Sequence, residues 1–288
     1  MNATPDVELV VDAHAIVGEG PIWHPDRQLL SWVDIEGCRV HWYDPAQNQD
    51  TSVDVGQPVG AALPRRAGGL VLALRDGFAA LDGDQVRMLV EVEADNPDNR
   101  MNDGACDSAG RLWAGTMAIK EQHGAGALYR LDPDLRLTRV LTGVSISNGI
   151  GWSLDDSRMY YVDTATLGLD VFDYNVATGE LGARRRLVTF PGEDGAPDGL
   201  TVDAEGYIWV ALWGGWAVHR YAPDGTFDRA ISVPAAQTSS CAFGGPDLGD
   251  LYITTAARGT PVGEQPHAGG LFRCRPGVTG LPEHAFAG

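Results

Sequence analysis

Six short apolar stretches recur along the chain, most of them behind a polar turn. They are Leu30–Val33, Leu70–Ala73, Leu112–Gly115, Met159–Val162, Ile208–Ala211 and Leu251–Thr254. With Trp32, Val71, Trp113, Tyr160, Trp209 and Tyr252 as reference positions, the steps between them are 39, 42, 47, 49 and 43 residues. Turn signals stand before them at Asp107-Ser108-Ala109-Gly110, Asp155-Asp156-Ser157, Asp203-Ala204-Glu205-Gly206 and Asp247-Leu248-Gly249. A second strand follows most of them, as at Val40–Tyr43, Phe78–Leu81, Ala127–Leu131, Leu169–Tyr174, Ala217–Tyr221 and Gly270–Arg273. No helical pattern of about 10–15 residues separates the strands, which excludes an α/β fold. A repeat of about 40–50 residues is the period of a propeller blade. Six units averaging 48 residues fill all 288. The pattern predicts an all-β, six-bladed β-propeller occupying residues 1–288 as one domain.

Composition agrees with many turns, since 37 of the 288 residues are glycine and 17 are proline. Hydrophobic residues make up 44% and charged residues 21%, an ordinary globular balance that excludes disorder. The net charge of −18, without a basic stripe, argues against a nucleic-acid partner. The run Arg184-Arg185-Arg186 is too short to change this and reads as a solvated strand end. No apolar stretch of about 18 residues predicts a membrane span, and the N-terminal residues lack the features of a signal peptide. Cys38, Cys106, Cys241 and Cys274 show no Cys-x-x-Cys spacing. They read as reduced thiols of a cytoplasmic protein, a monomer or weak oligomer.

A propeller channel is lined by its inner strands and the segments leading into them. Candidate chemistry therefore lies in the polar, Gly-rich stretches upstream of the repeated strands. Four stand out: Gly18-Glu19-Gly20-Pro21, Asn99-Arg100-Met101-Asn102-Asp103-Gly104, Ser147-Asn148-Gly149 and Pro197-Asp198-Gly199. Glu19, Asn102, Asn148 and Asp198 precede Trp32, Trp113, Tyr160 and Trp209 by 13, 11, 12 and 11 residues. Equal offsets in a radial repeat place side chains at equal depth around one axis, whereas turn dipeptides such as Asn-Gly or Asp-Gly need not stay in register. Such a set offers only oxygen donors, suited to Ca²⁺, Mg²⁺ or Mn²⁺, with Zn²⁺ admitted through the carboxylates. The acidic stretch Asp98 to Asp103 reads as a solvated loop, and His24 as structural. No Gly-x-Ser-x-Gly elbow or His-x-x-x-His spacing supports another chemistry.

As an ordered set, these motifs resemble the senescence-marker-protein/gluconolactonase family, which includes regucalcin. Arg100–Gly104, Gly115-Thr116-Met117, Ile146–Gly149, Pro197–Gly199 and Cys241–Gly245 carry the resemblance, with Gly18–Pro21 at its start. Ala211-Leu212-Trp213-Gly214-Gly215 resembles the bacterial sugar lactonases. The resemblance implies one divalent metal at the channel mouth, Ca²⁺ or Zn²⁺ first, held by Glu19, Asn148 and Asp198. It implies sugar-lactone contacts from Arg100 and Asn102, with Asp198 as base or water-orienting group. Where regucalcin-like members carry a substrate-facing carboxylate, this chain has Lys120, the only lysine of its 21 basic residues. The adjacent Glu121 is the alternative. Trp213 and Trp216 are candidates to border the sugar. The implied reaction is metal-dependent hydrolysis of an aldono-lactone. The alternatives are a metal-dependent esterase or phosphotriesterase on the same platform, and a non-enzymatic calcium-binding propeller.

Overall fold

The computed structural model describes residues 6–261 and 263–288. Its strands form six four-stranded antiparallel sheets arranged as blades around one channel. Blade 1 holds β2 (Gly18–His24), β3 (Leu29–Asp34), β4 (Arg39–Asp44) and β5 (Gln49–Asp54). Blade 2 holds β6 (Val59–Pro64), β7 (Leu70–Leu74), β8 (Gly77–Asp82) and β9 (Gln85–Glu91). Blade 3 holds β10 (Asn99–Cys106), β11 (Leu112–Ala118), β12 (Gly126–Leu131) and β13 (Leu137–Val144). Blade 4 holds β14 (Ser147–Trp152), β15 (Arg158–Asp163), β16 (Gly168–Asn175) and β17 (Glu180–Thr189). Blade 5 holds β18 (Ala196–Val202), β19 (Ile208–Trp213), β20 (Ala217–Tyr221) and β21 (Phe227–Ser232). Blade 6 joins the two ends of the chain. Its inner strands are β22 (Thr238–Gly244), β23 (Asp250–Thr255) and β24 (Leu271–Cys274), and its outermost strand is β1 (Glu8–Val11).

The six repeated apolar stretches are the second strand of each blade. They are buried on both faces, which explains their continuous apolar runs. The outermost strands β5, β9, β13 and β17 are largely exposed and carry little periodicity. Trp32, Trp113 and Trp209 occupy matching places in three blades and are fully buried. Each indole N–H donates to an aspartate: Asp50 at 3.0 Å, Asp107 at 3.0 Å and Asp203 at 2.9 Å. Asp107 and Asp203 are therefore buried anchors as well as turn residues. Asp107 also accepts from Tyr174 Oη at 2.6 Å, and Asp203 from Arg220 Nε at 2.8 Å. This satisfies the charge that burial would otherwise penalise.

The triple-arginine run is more than a solvated strand end. Arg184 and Arg186 on β17 both hold the buried Asp170 of β16, with Arg186 Nε at 2.6 Å, and Arg185 meets Asp173 at 2.9 Å. All four cysteines are free. Among the described residues no helix is long and apolar enough to cross a membrane.

Candidate functional site

The four motifs lie on the innermost strands β2, β10, β14 and β18, not in turns. At each, the pairing with the next strand slips: between Glu19 and Ile22, Met101 and Gly104, Ser147 and Ile150, and Pro197 and Leu200. The slips fall at one level around the ring. A bulge re-aims side chains that a regular strand would send to alternate faces. The glycines answer to crowding between neighbouring inner strands. A Cβ on Gly149 would lie 2.7 Å from the Asp198 carbonyl oxygen, and one on Gly199 would run into the Ser240 side chain. Glycine thus lets the inner strands close tightly around the axis.

All inner strands run from one face of the ring, here the mouth, toward the far face. Glu19, Arg100 and Asn148 are second residues of their strands and Asp198 is a third, so they sit at the mouth end. All four are buried, at 4–7% exposure. The Asn148 amide is fixed in direction. Its Nδ2 donates to Thr164 Oγ1 at 2.8 Å, and that hydroxyl donates to the Pro197 carbonyl at 2.8 Å. Asn148 Oδ1 is thereby left as the acceptor, receiving Asn102 Nδ2 at 3.0 Å. Asn102 Nδ2 also meets the Ser147 carbonyl at 2.7 Å, and Arg100 Nη1 donates to Asn102 Oδ1 at 2.5 Å. One hydrogen-bonded line thus runs from Arg100 to Pro197.

The carboxylates are unequally served. Glu19 Oε2 accepts the Gly20 N–H at 3.0 Å, whereas Asp198 Oδ1 is buried without a hydrogen-bond partner. Burial raises both groups well above the usual carboxylate range, and mutual repulsion adds to it: Asp198 and Asp103 act on Glu19, and Asp103 on Asp198. Burial pulls Arg100 down to about 10, opposed chiefly by Glu36. Clustered negative charge, an orphaned carboxylate oxygen and a set of oxygen donors suit a hard divalent cation. Glu19, Asp198 and the Asn148 amide oxygen could hold one. Among the described residues no three Asp, Glu, His or Cys side chains form such a group, and the Asn148 amide oxygen adds a neutral oxygen donor to the two carboxylates.

Asp103 departs from the solvated-loop expectation. Asp98 is exposed, but Asp103 is buried in the channel, accepts the Gly104 N–H at 2.7 Å and is raised to about 6 by burial. Below it a cavity of about 430 Å³ opens toward the far face, lined in part by Ile22, Cys106, Trp152 and Glu283. Phe286 anchors the C-terminal segment there, its N–H donating to the Pro64 carbonyl at 2.9 Å. Glu283 lines the cavity at its exposed far end.

Lys120 and Glu121 differ in placement. A turn closed by Glu121 N–H on the Ala118 carbonyl, with Glu121 at φ 55°, brings the Glu121 carboxylate 3.7 Å from Arg258 Nη2 at the mouth. Lys120 is exposed and has no hydrogen bond or ion pair among the described residues. Trp216 is 46% exposed on the mouth face and Trp213 is half-buried. His24 Nε2 lies 2.8 Å from Ser31 Oγ in blade 1, a structural place as expected. Sequence reasoning missed Thr164 and Glu283. Thr164 carries no motif of its own and becomes visible only once Asn148 needs a partner.

Fold and site together define a six-bladed propeller with an oxygen-donor cluster at its channel mouth. The chain belongs to the SMP-30/gluconolactonase/LRE-like family, whose profile it matches over residues 17–257. Regucalcin of Xenopus laevis is 38% identical across 98% of both chains. A solved structure of regucalcin from Agrobacterium tumefaciens strain C58, described as a calcium-binding protein, is 30% identical. It has a TM-score of 0.93 and covers 99% of this chain and 97% of that one. A luciferin-regenerating enzyme is 32% identical with a TM-score of 0.92, covering 98% of this chain and 99% of that one.

Proposed function

We propose that the protein is a cytoplasmic lactonase that hydrolyses aldono-lactones with one divalent cation held by Glu19, Asn148 and Asp198. The observation that carries this most is the unpartnered, buried Asp198 Oδ1 among oxygen donors at the mouth. The cation, Ca²⁺ or Zn²⁺ before Mg²⁺ or Mn²⁺, supplies Lewis acidity toward the carbonyl oxygen or the attacking water. Asp198 orients that water and accepts its proton. Well-placed general-base help of this kind contributes typically 10²–10⁴-fold. Water oxygen bonds to the carbonyl carbon, the ring C–O bond breaks, and the ring oxygen takes up a proton. The product is the aldonic acid, which then ionises. Arg100 holds the lactone oxygens, Asn102 holds a hydroxyl, and their mutual hydrogen bond fixes both beforehand.

The test is proton release from a panel of aldono-lactones by metal-stripped protein, before and after adding each of the four cations. Hydrolysis restored by a cation, and lost in Asp198→Ala, is the expected result. No opening of any lactone with any cation overturns the proposal. Exposed Ile16, Ile119 and Trp216 on the mouth face favour, as the second reading, an esterase or phosphotriesterase acting on apolar substrates. Aryl esters and phosphotriesters in the same assay separate the two. Calcium binding without turnover on any of these substrates would indicate the non-enzymatic alternative.

A further inference from the structure

In each blade the second strand returns toward the mouth, so connections between second and third strands stand at its lip. Four of them carry charge; in blade 2 Arg75 and Asp76 pair with each other, and charges from the other three meet at the mouth. Glu36 lies between β3 and β4 of blade 1, Glu121 between β11 and β12 of blade 3, and Arg258 between β23 and β24 of blade 6. The inner strands pack in ring order from blade 1 to blade 6 and back to blade 1, which sets blade 6 opposite blade 3. Arg258 Nη1 meets Glu36 Oε1 at 2.8 Å beside it, while Nη2 lies 3.7 Å from Glu121 Oε1 of the opposite blade. The second pair therefore spans the channel axis.

The backbone beneath Arg258 is tied down. Its N–H donates to the Ile16 carbonyl at 3.0 Å, and the Ala257 N–H to the Ala15 carbonyl at 3.0 Å. The head group is thus delivered from a held segment. Glu36, Glu121 and Arg258 all lie close enough to Arg100 to bias its charge, so the lip cluster sits above the buried arginine. The Arg258–Glu121 contact therefore lies across the mouth of the channel in which Arg100 is buried. Both side chains are partly exposed, at 40% and 53%, so the contact is weak and readily exchanged.

We propose that Arg258 is a further substrate-binding residue. It bridges the mouth to Glu121 in the substrate-free protein, and on binding the two exchange each other for the lactone hydroxyls farthest from the carbonyl under attack. The assignment rests on the lactonase proposal. A guanidinium offers fixed donors and a carboxylate only acceptors, so together they match hydroxyls in both hydrogen-bonding roles.

The test compares Arg258→Met, Arg258→Lys and Glu121→Gln with the wild type, using a polyhydroxylated aldono-lactone and δ-valerolactone, which has no hydroxyls. Arg258→Met should raise the ratio of the two KM values about tenfold, and Arg258→Lys should recover part of the loss. A ratio unchanged in Arg258→Met overturns the proposal while leaving the lactonase reading intact. Calorimetric titration of the cation-loaded protein with glucitol gives a second readout without turnover. Glucitol binding about tenfold weaker in Arg258→Met supports the assignment, and equal binding overturns it. A wild type that opens no lactone and binds no glucitol overturns both proposals.

Discussion

Replacing Asp103 by asparagine should make the metal-free protein more stable, and increasingly so as pH rises. The carboxyl is buried and its folded pKa is raised from 3.8 to about 6. An acid raised in the folded state keeps its proton there at a pH where the unfolded chain has lost it. Folding is therefore penalised as pH rises through this window, and the penalty is complete above it. A shift of about two units corresponds to about 3 kcal/mol at pH 8 and about 1 kcal/mol at pH 4.5. Asparagine is neutral throughout, and its amide oxygen can still accept the Gly104 N–H that Asp103 takes at 2.7 Å. Removing the charge also relieves Glu19 and Asp198, which Asp103 repels, so these effects share one sign. At about 2 °C per kcal/mol for a chain of this size, the midpoint should rise by about 6 °C at pH 8 and about 2 °C at pH 4.5. The assay is thermal unfolding in chelator at both pH values and one scan rate. Equal shifts at the two pH values, or a lower midpoint at pH 8, would refute the electrostatic account of the channel.

Three further outcomes follow from the same contacts. Thr164→Val frees the Asn148 amide to rotate and should weaken divalent-cation affinity about 10–100-fold, read by calorimetric titration, with Asn148 itself retained. Gly149→Ala forces a Cβ to within 2.7 Å of the Asp198 carbonyl, and should cost about 1–3 kcal/mol in denaturant unfolding while also disturbing the site. Asp107→Ala strands the Trp113 indole, the Tyr174 hydroxyl and an Arg111 donor, and should cost about 3–5 kcal/mol with little direct effect on cation binding.

The blade repeat was legible because every second strand is buried on both faces and announces itself as an apolar run. The outer strands were not, since exposure leaves β9 and β17 free of the alternation that would mark them. The place of β1 in the last blade depends on ring closure, a property of no local segment. Glu19, Asn148 and Asp198 stood out as candidates through their matched offsets, and the structure puts all three at the mouth end of inner strands. Their Asn-Gly and Asp-Gly neighbours read equally well as turns because glycine serves both a turn and a crowded bulge. Asp103 was misjudged because it shares an acidic stretch with exposed Asp98. Asp98 stands just before β10, whereas Asp103 lies within that innermost strand, whose first five residues are all buried. Arg258 and Glu121 are 137 positions apart, and only the opposition of blades 3 and 6 makes them neighbours.

The ring is fastened by β1 lying against β24, where Glu8 pairs with Arg273, 265 positions away. This clasp blade stands between the blade that carries Asp198 and the one that carries Glu19. A cation shared by those two side chains would reach past the clasp and hold its flanking blades directly. It would act as a second fastening at the axis, complementing the one on the rim. Its removal should then show in the rate at which the circle springs open, even under conditions where the folded and unfolded populations barely change.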